Sequence, residues 1–281
     1  MKTNAIIRIV IFSLLIVLLL SILAAGIGFH RYAFHWNSGF STAANAQQSS
    51  SGQVSASEIR NLNIEWVSGS VTVQPGDTDQ IQFSESGNFS EDQQMVWYQS
   101  GDTLTIQFGR TQAFFGIRFN GSKDLVVTVP RDHAFRELEI DSVSARIDVS
   151  GQTAEEMDLE NVSGVCLYQN CDTRKMTADT VSGTVTYTGR LEVLKCNTVS
   201  ADCTLKAVNE PQSLTLDGVS GNLILELPAD CGFTADMDSL SGTISSDFET
   251  TVSKHRHSHG EGNCQISAST TSGCIFIRKA S

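Results

Sequence analysis

The strongest constraint in this sequence is a short phrase that it repeats. Serines 68, 144, 163, 182, 200, 220, 241 and 272 each follow an apolar residue or Thr and precede Gly or Ala. From Ser144 to Ser241 the steps are 19, 19, 18, 20 and 21 residues; the step from Ser68 is 76 and the step to Ser272 is 31. Counted from each serine, the columns keep their character. Six and four residues before it stand apolar pairs such as Leu138 and Ile140, or Leu194 and Cys196. Three and five residues after it stand Ile147 and Val149, or Val185 and Tyr187. Apolar positions two apart bury one face of a strand. The residue just before the serine is also apolar (Val143, Val162, Val181, Val199, Val219, Leu240). It lies three from the −4 column, so the alternation breaks and a bend is predicted at −3/−2. Asp141-Ser142, Glu160-Asn161, Asp179-Thr180 and Asp217-Gly218 stand there, with short side chains suited to bonding local backbone.

A unit this small cannot bury its apolar face alone, but stacked copies share one core. The predicted class is all-β: a parallel β-solenoid of 19–20-residue repeats, with like residues about 4.8 Å apart. A β-sandwich of hairpins is the alternative, and it does not require the same residue in the same column eight times. In the solenoid reading Val181 and Val185 fill the core. Gly183 makes room where two strands converge, and Ser182 faces outward and bonds along its stack. Eight equivalent serines are a structural demand; a nucleophile needs one unique Ser with its own base.

The chain divides into unlike parts. Residues 9–29 carry no charge and as a helix would span the roughly 30 Å hydrocarbon core. Lys2 and Arg8 precede them, which places residues 1–8 in the cytoplasm and the rest outside. The run exceeds the about 7–15 apolar residues of a signal peptide, the alternative. Residues 30–57, rich in Ser, Ala and Gln, read as a flexible stalk. Residues 58–281 read as the β-strand-repeat domain. The expected location is therefore a cell membrane, single-pass, with the C-terminal domain extracytoplasmic.

The formal net charge is −12, which argues against nucleic acid or anionic lipid as partners held by charge. Seven cysteines leave at least one thiol outside any intrachain pairing. Cys166, Cys196 and Cys203 stand in inward columns and read as small core residues. Cys171, Cys231, Cys264 and Cys274 read as lying at loops or an outward column, where one pair could bridge, without a choice of which.

Two clusters suggest cation chemistry. His255, His257 and His259 alternate in an insertion before the last repeat and would share one side if extended; with Glu261 or Cys264 they could bind Zn²⁺ or Cu²⁺. Lys254 and Arg256 oppose that, and a pH-sensitive loop is the simpler reading. Asp141, Glu160, Asp179, Asp217 and Asp238, beside Glu139, Asp158 and Asp236, would stack into an acidic ladder that caps corners or shares Ca²⁺. No phosphate loop, His-Glu-x-x-His or serine-hydrolase elbow is present. No cofactor and no enzymatic activity are expected.

Several stretches carry a resemblance. DLVVTVP, ELEIDSVSA, the repeated VSG strands, SLSGTISSDF and GEGNCQISASTTSGCIFIRK resemble a bacterial β-strand-repeat family of candidate adhesins, a domain of unknown function, over about residues 58–281. Ala145 and Ala201 in place of the usual Gly, and the His-rich insertion, depart from it. The resemblance implies a membrane-anchored envelope protein with an adhesin-like or stress-sensing role, and supplies no catalytic residues. The expected partner is an envelope protein or a cell-surface polymer. A polysaccharide-active solenoid enzyme and a cytoplasmic-facing regulatory scaffold are the alternatives.

Overall fold

Parallel ladders join the repeats in register, as the columns require. Leu62 pairs with Leu138, Ile64 with Ile140, Ser68 with Ser144 and Val71 with Ile147. Ile140 then meets Leu159, Leu159 meets Ala178, and Cys196 meets Leu216. The computed structural model describes residues 45–109 and 122–280. Residues 1–44, which hold the expected cytoplasmic end, the apolar segment 9–29 and most of the expected stalk, lie outside the described residues. Among the described residues no helix is long and apolar enough to cross a membrane.

Each coil carries one strand before its serine and one after it, and the two ladders they build share one contiguous apolar core. The inward side chains include Leu138, Ile140, Ile147, Val149, Val185 and Tyr187, all buried. The seven serines after Ser68 behave alike. Each hydroxyl donates to the carbonyl of the residue before the serine on the adjacent coil, at 3.1–3.4 Å. The stacking bond foreseen for Ser182 is thus real, but its acceptor is the backbone oxygen of Val162 and not a neighbouring hydroxyl.

The bend lies two residues later than the alternation suggested. Period two continues from −4 to −2, so Ser142, Asn161, Thr180 and Thr198 point inward and are buried. At three corners a side-chain oxygen caps the turn: Ser142 Oγ accepts from the Ala145 amide (3.0 Å), Ser239 Oγ from the Gly242 amide (2.9 Å) and Thr270 Oγ1 from the Gly273 amide (3.1 Å). Thr180 Oγ1 instead donates to the Ser182 carbonyl, and the Asn161 and Thr198 side chains have no hydrogen-bond partner among the described residues. Beyond the first coils, where Val67 stays buried and Val143 packs on the core, the apolar residue at −1 turns outward. Val181 is 38% exposed and Leu240 77%. The assignment of Val181 to the core is therefore wrong, while that of Val185 stands.

Gly183 is required for a sharper reason than room. Its φ is +109°, and a Cβ there would lie 2.0 Å from the Gly164 carbonyl oxygen on the adjacent coil. Ala145 and Ala201 occupy the equivalent position fully buried and without positive φ, so corners come in two backbone forms.

The stack does not follow sequence order at its ends. Thr103–Gln107 and Lys123–Pro130 form a further coil, which pairs with the outer side of Asn61–Gly76. The serine alignment missed it because Ser122, in register with Ser68, follows Gly and precedes Lys. At the other end Cys264–Thr270 pairs with both Ser213–Gly218 and Phe233–Ser239. Ile275–Lys279 pairs with both Leu223–Leu227 and Ile244–Ser246. The last coil in sequence therefore sits between the coils of Ser220 and Ser241.

Antiparallel strands close the ends. Gln80–Gly87 covers Lys123–Pro130, and Val96–Ser100 covers Thr103–Gln107. Residues 45–57 were expected to belong to the stalk, yet Ser51–Ser55 pairs with Gln80–Gly87 and Gln47–Gln48 with Val96–Ser100. Their composition hides this, because an edge strand here contributes mainly backbone bonds and leaves its side chains exposed. At the far end Arg256–His259 covers Phe233–Ser239 and is itself paired by Thr251–Ser253. Such caps remove sheet edges that would otherwise recruit other strands.

Candidate functional site: the acidic outer face

With −6, −4 and −2 inward, −7, −5 and −3 face out on the first ladder. Column −3 reads, in stack order, Gln107, Glu65, Asp141, Glu160, Asp179, Asn197, Asp217, Ser269 and Asp238. Four acids thus follow one another at strand spacing, with Glu139 and Asp158 beside them. Strand register forces like charges to within about 5 Å, where their repulsion is considerable.

Amides and a hydroxyl relieve part of the column. Gln107 Nε2 donates to Glu65 Oε2 (3.1 Å), Asn197 Nδ2 to Asp179 Oδ1 (2.5 Å), and Ser269 Oγ to Asp217 Oδ1 (2.5 Å). The middle has no such relief, and Asp141 Oδ1 is buried without a hydrogen-bond partner. Burial, followed by the charges of Glu139, Glu160, Glu65 and Asp158, pushes the Asp141 carboxyl up to about 7. Burial also raises Glu65, Glu139 and Glu160; neighbouring acids add to the rise at Glu139 and Glu160. At the rim the pattern reverses. The hydrogen bond from Lys175 is the largest influence holding Glu156 below the usual carboxylate range, and Arg174 also bonds it. Asp141 therefore holds its proton up to about 7, the acids around it are raised in the same direction, and the face favours any cationic group that approaches it.

The predicted histidine cluster is assembled only in part. His257 and His259 lie on the cap strand, but their partners differ. His259 Nδ1 lies 2.8 Å from the Glu249 carbonyl, and its ring packs on Phe233 and Phe248. His257 Nδ1 is 3.5 Å from Thr250 Oγ1, and exposed His255 is 4.0 Å from Asp238 Oδ1. Among the described residues no group of three or more His, Cys, Asp or Glu is placed to hold a metal ion.

The cysteines are also redistributed. Cys171, Cys231 and Cys264, read as loop or outward residues, are buried, and only Cys274 is partly exposed. Cys231 and Cys264 hydrogen-bond thiol to thiol, with the Cys231 thiol lowered and the Cys264 thiol raised by that contact. Cys196 and Cys203 face each other across the core, sulfur to sulfur 2.8 Å.

Sequence reasoning missed a buried ion pair at the first end of the stack. Lys123 Nζ lies 2.7 Å from Glu85 Oε2, and neither side chain is more than 1% exposed. Nζ also donates to the carbonyls of Gln93 (2.9 Å) and Phe108, and sits over the rings of Phe108, Trp66 and Phe89. Burial pulls the Lys123 ammonium below the usual lysine range, against the opposing pull of Glu85. The signal that could have found it is the charge at position 123, just ahead of an alternating apolar strand. Elsewhere, where the chain enters the first-ladder strands, a shallow groove of about 480 Å³ has a wall that includes Arg60, His133, Phe135 and Arg174.

The model of the Toastrack DUF4097 family matches this sequence over residues 59–208 and again over 136–278. The chain belongs to the Toastrack DUF4097 family. The overlap of the two matches falls in the middle coils, as expected where one Toastrack register fits a repeat at more than one offset. Among curated proteins none matches this Toastrack sequence. Three solved structures are similar to it at low identity. One is a candidate cell adhesion protein from Clostridium sporogenes, 10% identical, covering 84% of this chain and 100% of its own, with a TM-score of 0.41. A second is a candidate adhesin from Bacteroides fragilis, 10% identical, covering 82% and 96%, with a TM-score of 0.47. The third is a candidate lipid-binding protein from Parabacteroides distasonis, 11% identical, covering 85% and 98%, with a TM-score of 0.44.

Proposed function

We propose that this Toastrack protein is a non-enzymatic binding domain held at the outer side of a membrane by its N-terminal apolar segment. Its partner is an envelope protein or a cell-surface polymer. One observation carries the reading: an outward column of the first ladder carries acids on four successive coils, so this face offers one chemistry at a regular interval. Acids line the first ladder at Glu65, Asp141, Glu160 and Asp179. Threonines recur outward on the second at Thr72, Thr184, Thr186 and Thr204. A surface of this kind suits an extended, repetitive or cationic partner, whereas catalysis draws unlike groups together in one pocket.

Co-sedimentation of the purified full chain with insoluble cell-wall glycan and with envelope membrane vesicles tests this. The chain should pellet with one of them, and less so after Asp158→Lys and Glu160→Lys. Co-sedimentation with neither, or release of soluble sugar from the glycan, would overturn the reading. Topology has a separate test. Val208, 68% exposed, replaced by Cys should react with an impermeant maleimide in intact cells; reaction only after lysis would place the domain in the cytoplasm.

A further inference from the structure

Of the seven cysteines, Cys196 and Cys203 are brought sulfur to sulfur across the core of one coil. They stand four before and three after Ser200, so the corner brings them face to face across the core of a single coil. The flanking coils fill the same two positions with Ala178 and Val185, and with Leu216 and Leu223. Unbonded carbon atoms settle at about 3.5–4.0 Å, and sulfur is the larger atom. The two sulfurs are 2.8 Å apart, part of the way to the about 2.05 Å of a bond. Both residues are buried, at 0% and 3% exposure.

We infer that Cys196 and Cys203 form a disulfide that closes this coil across its core. The chemistry is thiol–disulfide exchange with a low-molecular-weight or protein disulfide as oxidant. The thiolate of one cysteine attacks an oxidant sulfur and expels one thiolate. The second cysteine, deprotonated, then attacks the mixed disulfide and expels the other. Two cysteine S–H bonds are lost, one S–S bond forms, and the oxidant leaves as two thiols carrying both protons. In the folded chain the hydrogen bond to Cys203 and burial hold the Cys196 thiol protonated, so exchange belongs to folding, before the core closes. Once formed, the bond lies out of reach of reductants. Its formation in cells rests on the extracytoplasmic reading above, because oxidising compartments sustain such bonds.

Lys195 and Lys206 place both thiols in one tryptic peptide, residues 196–206. Cells making the full chain are denatured in N-ethylmaleimide, and the chain is digested without reductant. The expected peptide carries no maleimide and is lighter by two hydrogens, while the Cys171 peptide is alkylated. In parallel, the purified reduced chain is refolded in oxidised glutathione, with circular dichroism confirming the β spectrum, and mapped in the same way. An oxidised 196–206 peptide in both arms supports the disulfide. Oxidation only on refolding keeps the thiol pairing and overturns the extracytoplasmic location. Alkylation of both cysteines in both arms, or linkage of either to another cysteine, overturns the inference. A Cys203→Ala chain checks the assignment: Cys196 must then be alkylated in each arm.

Discussion

Ser272 donates its amide (2.9 Å) and its hydroxyl (3.4 Å) to the carbonyl of Val219, 53 residues earlier. The corner that precedes it in sequence, at Ser241, instead donates to Thr271 (3.1 and 3.2 Å). The final segment of the chain therefore completes the stack from within, and the coil of Ser241 waits at the end for it. The opposite end also departs from sequence order, but by addition: Thr103–Gln107 and Lys123–Pro130 pack outside Asn61–Gly76. Neither end can be completed by local contacts alone, which ties the terminal coils cooperatively to the body.

Two valines four apart separate core from ridge. Val185 is 2% exposed and Val181 is 38%. Val185→Asp buries an unpaired charge and should cost more than about 4 kcal/mol, enough to unfold the domain cooperatively. Val181→Asp should cost about 1 kcal/mol or less. Urea denaturation followed by circular dichroism measures both, and equal costs would restore Val181 to the core.

These two valines also show what the sequence made legible. Every column at −6, −4, +3 and +5 reads as inward and is inward, because strand alternation is a local property repeated in every coil. The corner did not read correctly, since an exposed Val at −1 and a buried Thr or Ser at −2 invert the usual inside-outside rule. At Ser142, Ser239 and Thr270 the reason is the corner amide, which takes a side-chain acceptor beneath it. Stacking order and end caps were hidden for a different reason. The serine alignment records which residues are equivalent but not which coil lies next to which, and in the coil of Leu104 and Leu125 the serine in register, Ser122, lacks the apolar residue before it and the Gly or Ala after it. The acids of the outer face were legible as a ladder; their environment was not, because Asp141 lies between strands Asn61–Gly76 and Thr153–Asn161, whose adjacency the alignment does not give.

The corner glycine should tolerate no side chain. Gly183→Ala places a Cβ against the Gly164 carbonyl at φ +109° and should cost roughly 1–3 kcal/mol from backbone strain alone. Ala201→Gly, at the equivalent position without positive φ, should cost about 0.5–1 kcal/mol through added chain entropy. The order of the two costs, read from thermal melts, is the check.

Mild acid should stabilise the domain. Asp141 ionises near 7 when folded and near 3.9 when unfolded, so the folded state binds the proton more tightly. Stability contributed by this group is full below about pH 4 and is lost as pH rises towards 7. The raised Glu65, Glu139 and Glu160 act in the same sense. The melting temperature should therefore fall between pH 5 and pH 8, roughly the upper part of that window. Asp141→Asn should raise it at the upper pH and flatten the dependence. A melting temperature that rises over this interval would contradict the electrostatic account.

The first end cap depends on a charge pair. Lys123→Met leaves Glu85 buried without its cation and should cost about 3–5 kcal/mol. The double replacement Lys123→Met with Glu85→Leu should recover much of that, because two apolar groups need no solvation. A single variant as stable as the parent chain would show that the pair does not hold the cap.

The stacking order itself is open to a direct measurement by cysteine cross-linking. Phe276 lies in register beside Ile224 on one side and Ser245 on the other, so Ile224 and Ser245 are two rungs apart. In a Cys274→Ser background, Ile224→Cys with Phe276→Cys should cross-link under mild oxidation, and Ile224→Cys with Ser245→Cys should not. Efficient bonding of the 224–245 pair, with none at 224–276, would mean that the coils stack in sequence order and would contradict the account.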